Sequence, residues 1–288
     1  MRPKLHDWFT LIYMKLAKAR RNNFAVSQER MYYESYFTPH HITVYETDIL
    51  ATLRREQILK SLSEERSGLL IADIGCGVGD VLSGLDNHHV RIGLDLSLSC
   101  LKLARQRSSS IAFVNGLAHC LPFKSDSLHL VICLETLEHM ADDFSVASEI
   151  SRVLKPGGRL IVSVPYEYYF ADYLSLTGHY RHYSRSHLED LLSRVGLNVT
   201  CYLNNYPRFA ALYRYVHAGL VIINMLLMRL SRDNRSHYER TLPFSKVSIY
   251  ELLRHFVLNP IAARDAKLPL ATLQSSTFCV AEKLPTLH

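Results

Sequence analysis

The sequence predicts an α/β fold, a mostly parallel β-sheet with helices on both of its faces. Short apolar runs of strand length alternate through the middle of the chain with segments of helical periodicity, which is typical of βαβ units. Where the first apolar run ends, a glycine-rich turn at residues 75–79 leads into a helical pattern. The 288 residues, 48% of them hydrophobic, suffice for one such domain with additional segments.

The glycine-rich turn is the most informative stretch of the chain. An apolar run, Leu69 to Ile71, leads to Asp73, and three alternating glycines follow up to Gly79. A strand, a glycine turn and a helix in this order begin a nucleotide-binding βαβ unit, because the glycines let the backbone approach a ligand closely. A dinucleotide site would need a small residue where this chain has Asp80, so a dinucleotide is disfavoured.

Two acidic residues indicate which ligand the turn holds. Asp73, two residues before Gly75, would repel a pyrophosphate but attract a ligand that carries an ammonium and a sulfonium group. Asp95, twenty residues after Gly75, ends the predicted strand Val90–Asp95 and is placed to accept hydrogen bonds from a ribose diol. The alternative is a simple glycine turn with two solvated acids. S-Adenosylmethionine is a ligand that suits both acids.

With these residues the chain resembles the class I S-adenosylmethionine-dependent methyltransferases, of the type 11-like group that includes quinone-biosynthesis and many small-molecule enzymes. The resemblance extends through at least residues 69–203. It implies a Rossmann-like sheet of seven strands, six parallel and one antiparallel, with S-adenosylmethionine as the cofactor. The cofactor-binding residues that it implies are Asp73, Gly75, Cys76, Gly77, Gly79, Asp95, Leu96, Gly116, Leu117, Ala118 and Glu135.

The chain before the first strand is predicted to be a helical extension, residues 1–66, that serves in part as a lid. Residues 5–19 have the apolar spacing of an amphipathic helix, which would pack on the domain or lie at a membrane surface. A second helix is predicted from about Val44 to Ser63. Between them, three tyrosines are candidates for covering the site or for simple packing: Tyr32, Tyr33 and Tyr36.

The remaining core elements alternate over a domain predicted at residues 67–204 and 272–284. A turn at residues 155–158 should stop the helix before it, and Ser184 is a candidate N-cap for the next helix. The predicted elements are the helix Leu98–Arg107, the strands Ile111–Asn115 and Leu128–Leu134, the helix Asp143–Leu154, the strands Arg159–Val164 and Leu197–Leu203, and the last strand Ser276–Ala281.

One position departs from the family that the chain resembles. The segment that begins at Gly116 is similar to the family's block that holds the adenine ring. The family usually places an aspartate after that glycine, whereas this chain has Leu117. Backbone groups of Leu117 and Ala118 would still hold the ring, without the polar contact to its amino group.

Three polar residues follow the fourth predicted strand, Glu135, Glu138 and His139. In an open parallel sheet, ligands bind outside the carboxyl ends of the strands, so these side chains should point toward the chemistry. Alternatively, Glu138 or His139 would cap the helix that follows.

A basic and aromatic loop after Pro165 should overhang the same end of the sheet. Its block Thr177–Tyr183 contains His179, Arg181 and His182, which suit an anionic or hydroxylated acceptor; packing of a surface loop is the alternative. The block resembles a bacterial methyltransferase subgroup associated with surface-glycan or lipid-linked pathways. The predicted catalytic residues are Glu138, His139, His179 and His182, with the histidines as candidate bases for a hydroxyl acceptor.

A helical insertion is predicted at residues 205–271, before the last strand. Its apolar part, residues 209–230, contains an uncharged run of only fourteen residues, Tyr215 to Met228, which is too short to span a bilayer. We expect the insertion to shape an acceptor pocket, to contact a second copy of the chain in a homodimer, or to lie on a membrane surface.

Cysteine usage and charge exclude several classes of protein. The six cysteines lack paired spacing, which predicts a reducing, cytoplasmic location without disulfides. Adjacent histidine pairs occur without zinc-type spacing, so no metal is predicted. The net charge of +6 is mild and dispersed, and no base-clamping Pro-Pro-Tyr block follows the fourth strand, so nucleic acid is not expected. Basic clusters leave a peripheral contact with the inner face of the membrane open.

The sequence therefore predicts an enzyme that methylates a small-molecule, lipid-linked or glycan acceptor, with O-methylation favoured. The alternative is a cofactor-binding but catalytically silent regulatory or scaffold protein. The leucine at position 117 and the unassigned base keep that alternative open.

Overall fold

The computed structural model describes residues 49–62, 68–165, 179–203 and 276–285. All of them belong to one of the two units into which the chain divides, the unit without residues 204–275. The predicted amphipathic helix, the lid tyrosines, most of the loop after Pro165 and the insertion at 205–271 lie outside the described residues.

Helices and strands alternate along the described residues. The helices are α1 (Ile49–Leu62), α2 (Asp80–Gly84), α3 (Leu98–Arg107), α4 (Asp143–Val153) and α5 (Arg185–Ser193), with a 3₁₀ turn at Leu137–His139. The strands are β1 (Leu70–Ile74), β2 (Val90–Asp95), β3 (Ala112–Asn115), β4 (Leu128–Leu134), β5 (Leu154–Pro165), β6 (Leu197–Tyr202) and β7 (Ser276–Lys283).

The seven strands form one sheet in the order β3-β2-β1-β4-β5-β7-β6. Strand β7 lies antiparallel between β5 and β6, and the pairs β3–β2, β2–β1, β1–β4 and β4–β5 are parallel. The predicted fold class is therefore confirmed. After β1 the chain builds outward through β2 and β3, then returns to place β4 on the other side of β1. This reversal opens a crevice at the carboxyl ends of β1 and β4, where α/β sheets bind their ligands.

Both faces of the sheet are buried, as expected for the apolar strands. On one face, Val131 and Cys133 of β4 belong to a core cluster with Val146 and Ile150 of α4. On the other face, Leu130 and Ile132 of β4 belong to a second cluster with Leu101 and Ala104 of α3. Neighbouring residues of a strand point to opposite faces, so a strand covered on both sides must be apolar throughout.

Strand β5 begins earlier than predicted. The sequence indicated a turn at residues 155–158, but the structure assigns Leu154–Pro165 to one strand. The pairing with β4 shifts register between Leu128 and Leu130, and Gly157 has a φ of +74°. The extra residues therefore bulge out of a continuing strand, because Leu154 already pairs with Leu128.

Helix ends follow the capping rules. Ser184 caps α5 by accepting from the His187 backbone N–H at 3.2 Å, as predicted, and Ser97 caps α3 in the same way through Cys100. None of the helices in the described residues is both apolar enough and long enough to cross a membrane.

Candidate active site

The glycine turn lies at the carboxyl end of β1, beside the end of β2. The backbone N–H groups of Gly75 and Cys76 both donate to the Leu94 carbonyl of β2, at 2.8 and 3.1 Å. Gly75 has a φ of +78°, and a Cβ atom there would overlap the hydroxyl of Thr136. The turn requires glycine at this position because both the backbone conformation and the close approach of Thr136 exclude a side chain.

Asp95 braces this turn. One carboxylate oxygen accepts from the Gly77 N–H at 2.8 Å, and the other accepts from the Ser97 N–H at 2.8 Å. A carboxylate oxygen can accept more than one hydrogen bond, so bracing the turn is compatible with accepting from a ribose hydroxyl. The structure thus places Asp95 at the turn that the sequence predicted, and shows a supporting role that the sequence did not indicate.

Asp73 is buried in β1, with 3% of its surface exposed. Burial, together with the negative charge of Asp95, raises the pKa of Asp73 to about 8. The prediction from sequence was that Asp73 carries a negative charge. In the free protein near pH 7 the carboxyl group instead holds its proton, and a cationic ligand must displace it.

The adenine-side residues lie at the ends of β2 and β3. Gly116 donates its N–H to the Asp95 carbonyl at 3.2 Å, and the Asn115 side-chain amide donates to the carbonyls of Asp95 and Leu96 at 3.0 and 2.8 Å. Asn115 therefore connects the ends of the two strands. The sequence did not predict this role, because Asn115 has no feature that distinguishes it from any other residue at the end of a strand. The half-buried Leu117 supplies no polar side chain here.

Glu135 follows β4 in the left-handed conformation, with a φ of +46°. Its Oε1 accepts from the Ser163 hydroxyl at 2.8 Å and lies 3.3 Å from the Arg54 guanidinium of α1. Both partners of this ion pair are largely buried. Arg54 therefore ties the helix before β1 to the predicted site. The sequence missed it, because nothing in a helical pattern marks which basic residue turns inward.

Glu138 is buried in the 3₁₀ turn with 1% of its surface exposed. Neither of its carboxylate oxygens has a hydrogen-bond partner in the described part of the chain. Burial, and then the charge of Glu135, raise the pKa of Glu138 well above its usual range. The alternative capping role is excluded, because Asp142 caps α4 by accepting from the Ser145 N–H at 3.0 Å.

The four predicted catalytic side chains come together beside this turn. The Tyr180 backbone N–H donates to the Glu138 carbonyl at 2.7 Å and so holds His179 against His139, with ring centroids 4.6 Å apart. The Nδ1 atom of His179 lies 2.8 Å from Nε2 of His182. Burial, followed by the neighbouring His139 and His182, lowers the pKa of His179 to about 2, so its imidazole is neutral.

Arg181 and Tyr183 hold the histidines in place. The Arg181 guanidinium donates to the carbonyls of Met140 and Ala141 at 3.0 and 2.6 Å and pairs with Asp143 at 2.9 Å. The fully buried Tyr183 donates its hydroxyl to the same Asp143 carboxylate at 2.8 Å. The sequence suggested that Arg181 would meet an anionic acceptor. In the structure its donors are engaged within the protein.

The glycine turn and the Glu–His cluster face the same crevice. Thr136, between Glu135 and the 3₁₀ turn, donates its hydroxyl to the Leu134 carbonyl at 2.9 Å and packs against Gly75. A ligand cradled by the turn would therefore lie next to the end of β4. This arrangement suits the transfer of a group from a nucleotide-like donor to an acceptor bound beside the histidines.

Comparison with known proteins agrees with this geometry. Residues 72–162 match the family described as a methyltransferase domain. The matched stretch contains the glycine turn, Asp95 and the end of β4 from Glu135 to His139. The chain carries a class I S-adenosylmethionine-dependent methyltransferase domain. The predicted family and its cofactor are thereby confirmed, and His179 and His182 lie beyond the matched stretch.

Two curated relatives illustrate the range of the family. The demethylmenaquinone methyltransferase of Lactococcus lactis is 35% identical over 118 residues, which are 38% of this chain and 46% of that protein. A Bos taurus protein named "Probable tRNA methyltransferase 9B" is 31% identical over 111 residues, 38% of this chain and 24% of that protein. The chain thus spans less than half of either relative. Their names differ in acceptor, so the methyltransferase domain is common to them and the quinone subgroup is not established.

Solved structures share the fold. The phosphoethanolamine N-methyltransferase 2 of Haemonchus contortus, in complex with S-adenosyl-L-methionine, aligns with a TM-score of 0.60 at 20% identity. The alignment covers 89% of this chain and 60% of that one. The methyltransferase domain therefore has the architecture of that enzyme, while its acceptor must be inferred from its own residues.

Proposed function

We propose that the protein transfers the methyl group of S-adenosylmethionine to a hydroxyl group of a small-molecule, lipid-linked or glycan acceptor. One observation carries the proposal. The glycine turn braced by Asp95 and the cluster of Glu138 with three histidines lie at one crevice. The turn, Asp95, Glu138 and His139 lie within the methyltransferase match. A donor site and an acceptor site are thus adjacent.

The donor site supports the cofactor from two sides. The Asp95 carboxylate accepts from the Gly77 N–H and is the proposed acceptor for a ribose hydroxyl, since a carboxylate oxygen accepts more than one hydrogen bond. The buried Asp73 lies beneath the turn, and the cofactor's ammonium or sulfonium charge would favour its ionised form. Binding of the cation would therefore release about one proton from the protein.

The acceptor site explains why we favour a hydroxyl group. Transfer to a hydroxyl oxygen requires removal of its proton, and three histidines lie close to the end of β4. His179, with its pKa lowered to about 2, is too weak a base to accept that proton near neutral pH. Among the predicted bases this leaves His139, which is 22% exposed, and His182.

Calorimetric titration with S-adenosylmethionine and S-adenosylhomocysteine tests the donor site. We expect wild type to bind both and Asp95→Ala to lose at least about 100-fold in affinity, because the variant removes a charge-assisted brace and the ribose acceptor. Asp86→Asn is the matched control, since Asp86 is 62% exposed and pairs only with His88 in the described structure. Equal affinities in all three proteins would contradict the assignment of the turn.

Product formation distinguishes methyl transfer from a silent cofactor-binding role, which Leu117 and the unassigned base keep open. Purified protein is incubated with labelled cofactor and with fractionated metabolites, lipids and glycans. We expect labelled acceptor and S-adenosylhomocysteine in wild type and neither in Asp95→Ala. Cofactor binding without product in any fraction would support the silent alternative.

A further inference from the structure

We infer that Glu138, His139 and His179 bind a divalent transition-metal ion at the carboxyl end of β4. One carboxylate oxygen of Glu138 and one ring nitrogen of each histidine lie within 4.8 Å of one another. The set combines one carboxylate with two imidazoles, which are the ligands that zinc and ferrous ions commonly take in proteins.

The buried carboxylate is the strongest indication that this cluster binds a cation. Glu138 is 1% exposed, and neither of its oxygens is hydrogen-bonded in the described part of the chain. A charged carboxylate that has left water without a partner destabilises the fold, and a bound cation would supply that partner. Its nearest ring nitrogen, Nε2 of His139, lies 4.0 Å from Oε1, which is a gap wide enough for an ion rather than a hydrogen bond.

The spacing suits a small ion after a modest closure. An ion at the centre of three atoms within 4.8 Å of one another lies at most about 2.8 Å from each, and metal–ligand bonds are about 2.0–2.2 Å. Each side chain must therefore approach by roughly 0.7 Å. His139 is 22% exposed and is the last residue of the 3₁₀ turn, so its ring has room for that movement.

His182 supplies the outer support that metal ligands usually have. Its Nε2 lies 2.8 Å from Nδ1 of His179, so we assign Nε2 of His179 as the nitrogen offered to the ion. His182 is itself buried, and the neighbouring Arg181 forms an ion pair with Asp143. The proposed ligand His179 is therefore held by a buried neighbour.

The sequence predicted no metal because it contains no cysteine or histidine pairs at zinc spacing. Of the proposed ligands, His179 lies forty residues after His139 along the chain. They meet because the Tyr180 N–H donates to the Glu138 carbonyl, which places residue 179 beside residue 139.

A bound ion would also replace the histidine base. With three protein ligands it retains an open position for an acceptor oxygen and lowers the pKa of that hydroxyl group. The hydroxyl proton passes to solvent, the oxygen attacks the methyl carbon, and the carbon–sulfur bond breaks with its electron pair returning to sulfur. This role rests on the proposed function, whereas binding of the ion does not.

Metal titration of the full-length, chelator-treated protein tests the site without cofactor or acceptor. Calorimetry with Zn²⁺ and Mn²⁺, and the visible spectrum of Co²⁺, should show one specific ion per chain. We expect His139→Ala and His179→Ala each to weaken binding about 100-fold or more, and His182→Ala about 10- to 100-fold. His88→Ala is the control with unchanged affinity, because His88 also pairs with a carboxylate but is 73% exposed.

The outcomes separate the ion site from the reaction. Failure of all three ions to bind, or binding that His139→Ala and His179→Ala leave unchanged, would overturn the inference. Glu138→Gln, checked for folding by circular dichroism, should lose the ion while retaining the shape of the buried side chain. If wild type binds the ion but does not bind the cofactor and forms no methylated product, the proposed function is refuted and the ion site is retained.

Discussion

The donor side and the acceptor side of the crevice are built in different ways. On the donor side, Asp95 braces Gly77 across a separation of eighteen residues, within one βαβ unit. On the acceptor side, Arg181 and Tyr183 contact Asp143 across separations of 38 and 40 residues. The first arrangement is local and consists largely of backbone groups. The second depends on side chains that meet only when α4 and the segment before α5 pack together.

This difference separates cofactor binding from acceptor chemistry. Backbone N–H groups and glycines at a strand end can hold the same donor in many proteins, and they leave little for side chains to vary. The acceptor side uses buried, ionisable groups whose states depend on their neighbours, as His179 and Glu138 show. Substitutions on the two sides should therefore have separable effects, and four predictions examine that separation.

The largest effect is expected on the donor side, from Gly75→Ala. Its φ of +78° and the overlap of the new Cβ with Thr136 should together cost about 2–5 kcal/mol of unfolding free energy and abolish cofactor binding. Gly77→Ala is the control for conformation alone. Its φ is +53° with no atom within 4 Å of a new Cβ, so about 1–2 kcal/mol is expected.

Urea unfolding and cofactor calorimetry measure both glycine variants. Adding Thr136→Ala should restore about 1–3 kcal/mol to Gly75→Ala, because it relieves the overlap. Equal losses in Gly75→Ala and Gly77→Ala, with no recovery in the double variant, would show that the contact with Thr136 does not matter.

The next effect concerns the charge of Asp73. Its pKa near 8 means that a cationic cofactor binds with loss of a proton, so affinity should rise by up to about tenfold per pH unit between pH 6 and 7.5. Asp73→Asn should bind about 10- to 100-fold more weakly at pH 7.5 and lose this pH dependence. Calorimetry in two buffers of different ionisation enthalpy counts the released proton, and a pH-independent wild type would contradict the prediction.

Rising pH should affect the stability of the free protein through Asp73 in the opposite direction to its effect on cofactor affinity. A carboxyl whose pKa is raised in the folded state keeps its proton where the unfolded chain has lost it, so the free protein should lose stability as pH rises from about 4 to 8. Asp73→Asn removes that loss and should be more stable than wild type at pH 7.5, while binding more weakly. Thermal unfolding of wild type and Asp73→Asn at pH 5 and pH 7.5 measures how this difference in stability depends on pH.

A smaller effect is expected from Arg181→Ala on the acceptor side. The variant loses the contacts with Met140, Ala141 and Asp143, which should lower unfolding free energy by about 1–2 kcal/mol. Cofactor affinity should change by less than about twofold, since the donor side is separate. Arg181→Lys keeps the positive charge but not the planar guanidinium group. Its unfolding free energy should therefore lie between those of wild type and Arg181→Ala. A loss of cofactor affinity as large as that of Asp73→Asn would show that the two sides are one unit.

The smallest effect is expected from Ser184→Ala, which removes the cap of α5. The lost hydrogen bond to the His187 N–H should cost about 1 kcal/mol in urea unfolding, with cofactor affinity unchanged. Ser184→Asp keeps an acceptor at the same position and should retain the stability. A decrease in both variants would indicate that the hydroxyl acts through another contact.

Much of the donor side was predictable from sequence because its signals are local. Three glycines, an acid before them and an acid at the end of the next strand specify a turn, a ligand charge and a ribose contact within about one βαβ unit. The protonation of Asp73 was not predictable. It depends on complete burial in the centre of the sheet and on the distance to Asp95, neither of which is a property of sequence spacing.

The sequence by itself determined the sheet, its seventh antiparallel strand, the glycine turn and the identity of the four polar side chains of the acceptor side. These follow from hydrophobic period, glycine placement and family resemblance. Only the tertiary structure decided that Arg54 reaches Glu135, that Arg181 binds within the protein, and that Glu138, His139 and His179 converge. The physical reason is that pairing partners tens of residues apart are selected by packing, which a linear pattern does not record.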